Sequence, residues 1–119
     1  MESLSEMHKL GIVHRDLKPE NIFLHNRKDG QAANVGDLGA AVMLGLGKNC
    51  TGRVGSMGFT APEVLDGSTY DSKCDVFSLG CVIYSLISGT TPFFQNDCSM
   101  EDYFAATCYK KVKFNDEAW

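Results

Sequence analysis

The stretch "DSKCDVFSLGCVIYSLISGTTPF", residues 71–93, constrains the fold more than any other part of the chain. Ser72 is placed to cap a helix, Val76, Leu79, Gly80, Ile83 and Ile87 recur on one face, and Gly89 with Pro92 supplies a stop. Phe77, Cys81 and Tyr84 load the remaining faces, and a helix that is apolar all round needs neighbours on every side. The run is shorter than the ~20 apolar residues that span a bilayer, and Asp75 sits in its first turn. A central helix over about 72–88, at the heart of a core, is therefore expected, and no membrane partner.

Around that helix the chain of 119 residues carries enough apolar content, 44%, for one globular domain. Leu4 and Met7 read as the last turns of a helix that stops near Gly11. "NIFLHN" and "AANVGDLG" read as two strands joined at Asp29-Gly30, a strong hairpin signal. From Ala41 to Gly58 glycines are frequent and large apolar residues few, which predicts a long flexible loop. The tail from Gln95 to Trp119 suggests a helix around Met100 to Lys111 and then an irregular end. No internal repeat or low-complexity tract is present. The net charge of -4 and the lack of a basic stripe argue against a nucleic-acid partner. Five cysteines without zinc-site spacing, and no signal peptide, point to reduced thiols inside the cell, in the cytoplasm with the nucleus open as an alternative.

Chemistry concentrates in "GIVHRDLKPENIF", residues 11–23, where His, Arg, Asp, Lys, Glu and Asn crowd between two apolar runs. A loop between a helix and a hairpin can hold Asp16 against a substrate hydroxyl, aim Lys18 at a transferring phosphoryl and send Asn21 toward a metal ion. Asp37, in "GDLG" after the hairpin, is a second carboxylate that folding back brings beside Asn21. Asn21 and Asp37 are hard oxygen donors of the kind Mg²⁺ takes together with substrate phosphates. Taken singly, each residue also has an ordinary explanation: a solvated loop carboxylate, a surface charge, a turn residue. The ordered set favours catalysis.

"HRDLKPEN", "DLG", "GSMGFTAPE" and "DVFSLG", in that order, resemble the catalytic loop, metal-binding motif, substrate-positioning segment and central helix of eukaryotic protein kinases, serine/threonine type. The resemblance implies an α+β fold: the mostly helical larger, C-terminal lobe with a small hairpin, truncated at both ends and lacking the smaller ATP-binding lobe. It divides residues 1–119 into a catalytic loop at 14–21, a metal motif at 37–39 and an activation segment at 37–63, followed by the central helix. Asp16 would be the catalytic base, Lys18 would stabilise the γ-phosphate, and Asn21 and Asp37 would hold Mg²⁺ with ATP. Lys18, at the second position after Asp16, is the serine/threonine pattern. Ser56 stands where the family usually has a Thr touching the catalytic Asp and Lys, and Leu38 replaces the usual Phe.

Other roles carried by the resemblance are structural or regulatory. His14 would pack and bond the backbone, Glu63 would pair with an Arg late in the domain, and Asp75 would brace the catalytic loop. Arg15 would dock a phosphate on the activation segment, with Thr51 the best-placed acceptor. Glu20 would face arginines of a basic peptide substrate. The tail "KKVKFNDEAW" weakly resembles calmodulin-dependent-type kinases. The implied activity is transfer of the ATP γ-phosphoryl to Ser/Thr hydroxyls of a protein. The alternative is a noncatalytic fragment that binds or regulates, or an incomplete gene product. Taken alone, the chain is expected to be marginally stable and to bind Mg-ATP weakly.

Overall fold

In the computed structural model, which describes residues 2–27, 30–45, 48–94 and 96–114, helix α1 (Glu2–Lys9) unwinds at Gly11. The φ of Gly11 is 73°, in the left-handed region that an L side chain resists. A Cβ there would also sit 2.5 Å from the Leu44 carbonyl oxygen. That close approach is used: Leu44 N donates to Gly11 O at 2.7 Å. Strand β1 (Ile12–Val13) continues the contact as an antiparallel pair with residues Val42–Met43.

Residues 14–18 lead through a 3-10 turn at Pro19–Asn21 into the hairpin of β2 (Ile22–Arg27) and β3 (Gly30–Val35). Its register runs from Ile22 against Val35 to Arg27 against Gly30. Asp29, half of the turn signal, lies outside the described residues. At the open end Gly36 N donates to Asn21 O at 2.9 Å, which sets Asp37 beside the loop.

The long loop expected over Ala41–Gly58 is more ordered than its composition suggests. It contains β4 (Val42–Met43), paired with β1, and an antiparallel bridge between Cys50 and Tyr70. Its largest apolar run, residues 42–44, is too short to show a period, and the apolar residues after it stand singly among glycines and polar residues. Yet Val42, Leu44 and Val54 pack against a core of Val13, Cys50, Ala61, Val64, Tyr70 and Cys74. Tertiary burial supplies what local pattern does not.

Three helices follow. The short α2 (Pro62–Leu65) starts on a proline, whose missing N–H costs nothing there. Helix α3 (Lys73–Ser88) has Ser72 at the cap position, but the cap bond is made by Asp71, whose Oδ1 accepts from Lys73 N at 2.8 Å. Gly89, at φ 73°, ends it. Helix α4 (Met100–Tyr109) opens with a reciprocal cap between Ser99 and Asp102 and stops short of Lys111, because Lys110 is already extended. The tail beyond residue 114 lies outside the described residues.

The expectation that α3 is buried on every side is not met. Cys74, Asp75, Ser78, Cys81 and Val82 are buried, whereas Val76, Ile83 and Ile87 of the anticipated face are 58%, 48% and 44% exposed. The described residues supply packing partners on one side: Ser78 Oγ donates to Phe59 O at 2.7 Å and Phe77 stacks on Phe93. Composition showed that the helix is apolar and could not show which face finds a neighbour. From α4, the fully buried Tyr103 donates its hydroxyl proton to Thr60 O at 2.9 Å, tying that helix to the same segment.

Candidate active site

The loop after β1 is shaped by its own sequence. Leu17, with no exposed surface, plugs into the interior. Lys18 is extended, as a residue before proline must be, and Asn21 N closes the turn on Lys18 O at 3.0 Å. Between these anchors the side chains of Asp16 and Lys18 converge on Ser56, brought in from the far segment. Ser56 Oγ donates to Asp16 Oδ1 at 2.7 Å and accepts from Lys18 Nζ at 2.9 Å. Lys18 Nζ also lies 3.3 Å from Asp16 Oδ2, closing a partly buried triangle of carboxylate, ammonium and hydroxyl. The serine thus fixes one carboxylate oxygen, while the other stays beside a positive charge.

Asn21 is buried and donates from Nδ2 to Asp16 O at 2.9 Å, and among the described residues its side-chain oxygen accepts from no protein donor and could ligate a metal. Asp37 is exposed at a left-handed φ of 55°, with Oδ1 accepting from Gly39 N at 3.2 Å. An amide oxygen and one carboxylate oxygen on neighbouring backbone suit Mg²⁺, which binds few protein oxygens and completes its shell with water and phosphate. Among the described residues no group of three or more His, Cys, Asp or Glu gathers as a ready cation cage.

Beneath the loop lies Asp75, which has no exposed surface. Its Oδ2 accepts from His14 N and its Oδ1 from Arg15 N, each at 2.8 Å. Oδ2 also accepts from His8 Nε2 at 2.8 Å. A buried carboxylate must be paired in this way, and the two amides it takes are those leading into Asp16. Arg15 needs the restraint, since its φ of 68° is strained for a side chain of that kind. The His14 ring is fully buried. It accepts from Asp16 N at Nδ1, 3.3 Å, and faces Gly36 O from Nε2, 2.9 Å. An N–H only donates and a carbonyl only accepts, so the ring is held as the Nε2–H tautomer, bridging loop to hairpin.

Arg15 extends toward the segment after the hairpin, where Nε donates to Ala40 O at 2.7 Å and Nη1 to Thr51 O at 3.4 Å. Arg15 and the Thr51 backbone are therefore together. Glu20 is exposed. Glu63 is half-buried in a shallow cleft with Asn49, Tyr70 and Lys73, and makes no hydrogen bond or ion pair among the described residues. Two residues with a part in this architecture escaped sequence reasoning. His8 lies on α1 and Tyr70 in a polar connection, and neither belongs to a local pattern that would single it out. All five cysteines are free, and burial pushes the Cys74 and Cys81 thiols up, the latter to about 12.

The model of the protein kinase domain family matches residues 1–119. Rhodopsin kinase GRK7 of Sus scrofa is 39% identical over 116 residues, covering 95% of this chain and 20% of its own length. G protein-coupled receptor kinase 2 of Drosophila melanogaster is 47% identical over 90 residues, 76% of this chain and 12% of the relative. A probable serine/threonine-protein kinase 2 of Plasmodium falciparum is 35% identical over 117 residues, 98% of this chain and 22% of its own length. The chain thus spans between 12% and 22% of the length of these relatives.

Proposed function

Because this chain belongs to the protein kinase family, we propose that it is the larger-lobe part of a serine/threonine protein kinase, acting inside the cell. The observation that carries the reading is the closed triangle of Asp16, Lys18 and Ser56. With Oδ1 engaged by Ser56, Asp16 presents Oδ2 to a substrate hydroxyl, orients that oxygen for attack and takes its proton. Lys18 places a positive charge where the transferred group gathers negative charge. Asn21 and Asp37 would hold Mg²⁺. Mg-ATP held there would supply the transferable phosphoryl group, with the metal offsetting the negative charge of the phosphate oxygens. Asp75 and His14 keep the loop in register without touching substrate. Arg15 and Thr51 form the regulatory pair in this reading, and Glu20 adds an exposed negative charge that favours basic peptides.

The test uses the native full-length polypeptide, Mg-ATP and an array of Ser- and Thr-containing peptides. Asp16→Asn should lower phosphate incorporation by at least about a hundredfold, the usual worth of a positioned base, while the melting temperature holds. Glu20→Ala on the same array should lose any preference for arginine before the acceptor. Wild-type incorporation by Asp16→Asn would refute the assignment.

A further inference from the structure

Among the described residues the Arg15 guanidinium meets no carboxylate. Its partners are neutral oxygens: Ala40 O, Thr51 O and, at 3.4 Å from Nη1, the hydroxyl of Tyr70. Tyr70 is 4% exposed, and its ring is part of the core formed with Val13, Cys50, Ala61, Val64 and Cys74. Its backbone is bonded twice to the activation segment: Cys50 N donates to Tyr70 O at 2.6 Å and Tyr70 N to Cys50 O at 3.1 Å. The hydroxyl adds a third link. A phenol has a single proton to give. Of the two carbonyls within reach, Gly52 O at 2.8 Å is nearer than Thr51 O at 3.4 Å. The proton therefore goes to Gly52, and the oxygen lone pairs face Arg15.

We infer that the Tyr70 hydroxyl is a positioning group for phosphoryl transfer, relaying Arg15 to Gly52 and so fixing the activation segment against the catalytic loop without any charged partner. The inference rests on the kinase reading above. Arg15 precedes Asp16, Gly52 precedes Ser56 on the same segment, and Asp16 and Ser56 must meet at 2.7 Å. Gly55, at φ 107°, lets that segment turn so close to Arg15 O that a Cβ would lie 3.0 Å from it. Slack at Gly52 is therefore passed to the Asp16–Ser56 contact. Burial pushes the phenol pKa up, against the lowering effect of Arg15, so the hydroxyl keeps its proton at neutral pH.

Tyr70→Phe isolates the hydroxyl, because the ring and its packing remain. In the native full-length polypeptide this variant should fold and melt about 4–8 °C below wild type, less of a drop than Tyr70→Ala gives. Its kcat should fall roughly tenfold with KM for Mg-ATP unchanged, the scale expected when a hydrogen bond involving a charged group is lost. Backbone hydrogen exchange over residues 50–53 should quicken. Tyr70→Ala, which also deletes the ring, should lower the melting temperature and serves as the packing control. Unchanged exchange in Tyr70→Phe, or unchanged kcat in an active enzyme, overturns the inference and leaves the kinase reading intact. Exchange is read without catalysis, so failure of the kinase reading, seen when Asp16→Asn keeps wild-type activity, is a separate result.

Discussion

Replacing Asp75 with alanine removes the acceptor of two backbone amides at once, His14 N and Arg15 N, together with the partner of His8. A buried donor left without a partner costs ~1–3 kcal/mol, so the two amides alone cost about 2–6 kcal/mol. That is a large share of the ~5–15 kcal/mol that holds a domain together. Asp75→Asn is the sharper probe. It keeps the volume and one acceptor oxygen but turns an NH₂ toward another donor, which leaves one bond unmade and costs ~2–3 kcal/mol. At ~4 °C per kcal/mol this lowers the melting temperature by about 8–12 °C. Phosphotransfer should fall further than stability does, because the strained φ of 68° at Arg15 loses its restraint next to Asp16. Thermal melts followed by circular dichroism, with hydrogen exchange at the Arg15 amide, read both effects. An Asn variant that melts within about 2 °C of wild type and protects that amide equally would refute the bracing role.

Thr51→Ala tests the regulatory pair. If a phosphate on Thr51 adds a charge-assisted bond to Arg15, treatment with an activating kinase should stimulate wild type by about 10- to 100-fold and leave the alanine variant at its basal rate. Equal stimulation of both would remove Thr51 from the scheme. Burial of the Cys81 thiol, which moves it from 9.0 to about 12, makes a pH prediction. Below pH 9 the thiol is protonated in both states and stability does not depend on it. Between about pH 9 and 12 only the unfolded chain ionises there, so stability falls as pH rises, by at most about 1.4 kcal/mol per unit. Cys81→Val should flatten that limb of a pH–stability curve measured by urea unfolding, and an unaltered slope would contradict the assignment.

Much of the site was legible because its chemistry is local. Asp16, Lys18 and Asn21 belong to one short loop, Pro19 sets its turn, and the β2–β3 hairpin, expected from its two apolar-containing runs, returns Asp37 to Asn21. Helix ends were equally readable at Gly11 and Gly89, where backbone geometry demands glycine. The apolar face of α3 was misjudged for a physical reason: periodicity reports what a helix could bury, and burial depends on what arrives beside it. The strand Val42–Met43 was missed because a two-residue strand has no period to detect.

The sequence by itself determined the loop, the hairpin, the helix stops and which carboxylate, ammonium and amide groups stand together in one loop, since these follow from backbone sterics and from residue order. The tertiary structure decided which side chains close the site. Ser56 reaches Asp16 across 40 positions, Arg15 reaches Tyr70 across 55, and His8 reaches Asp75 across 67. Bonds of that span leave no local trace, because they exist only after distant segments have been packed together around a common core.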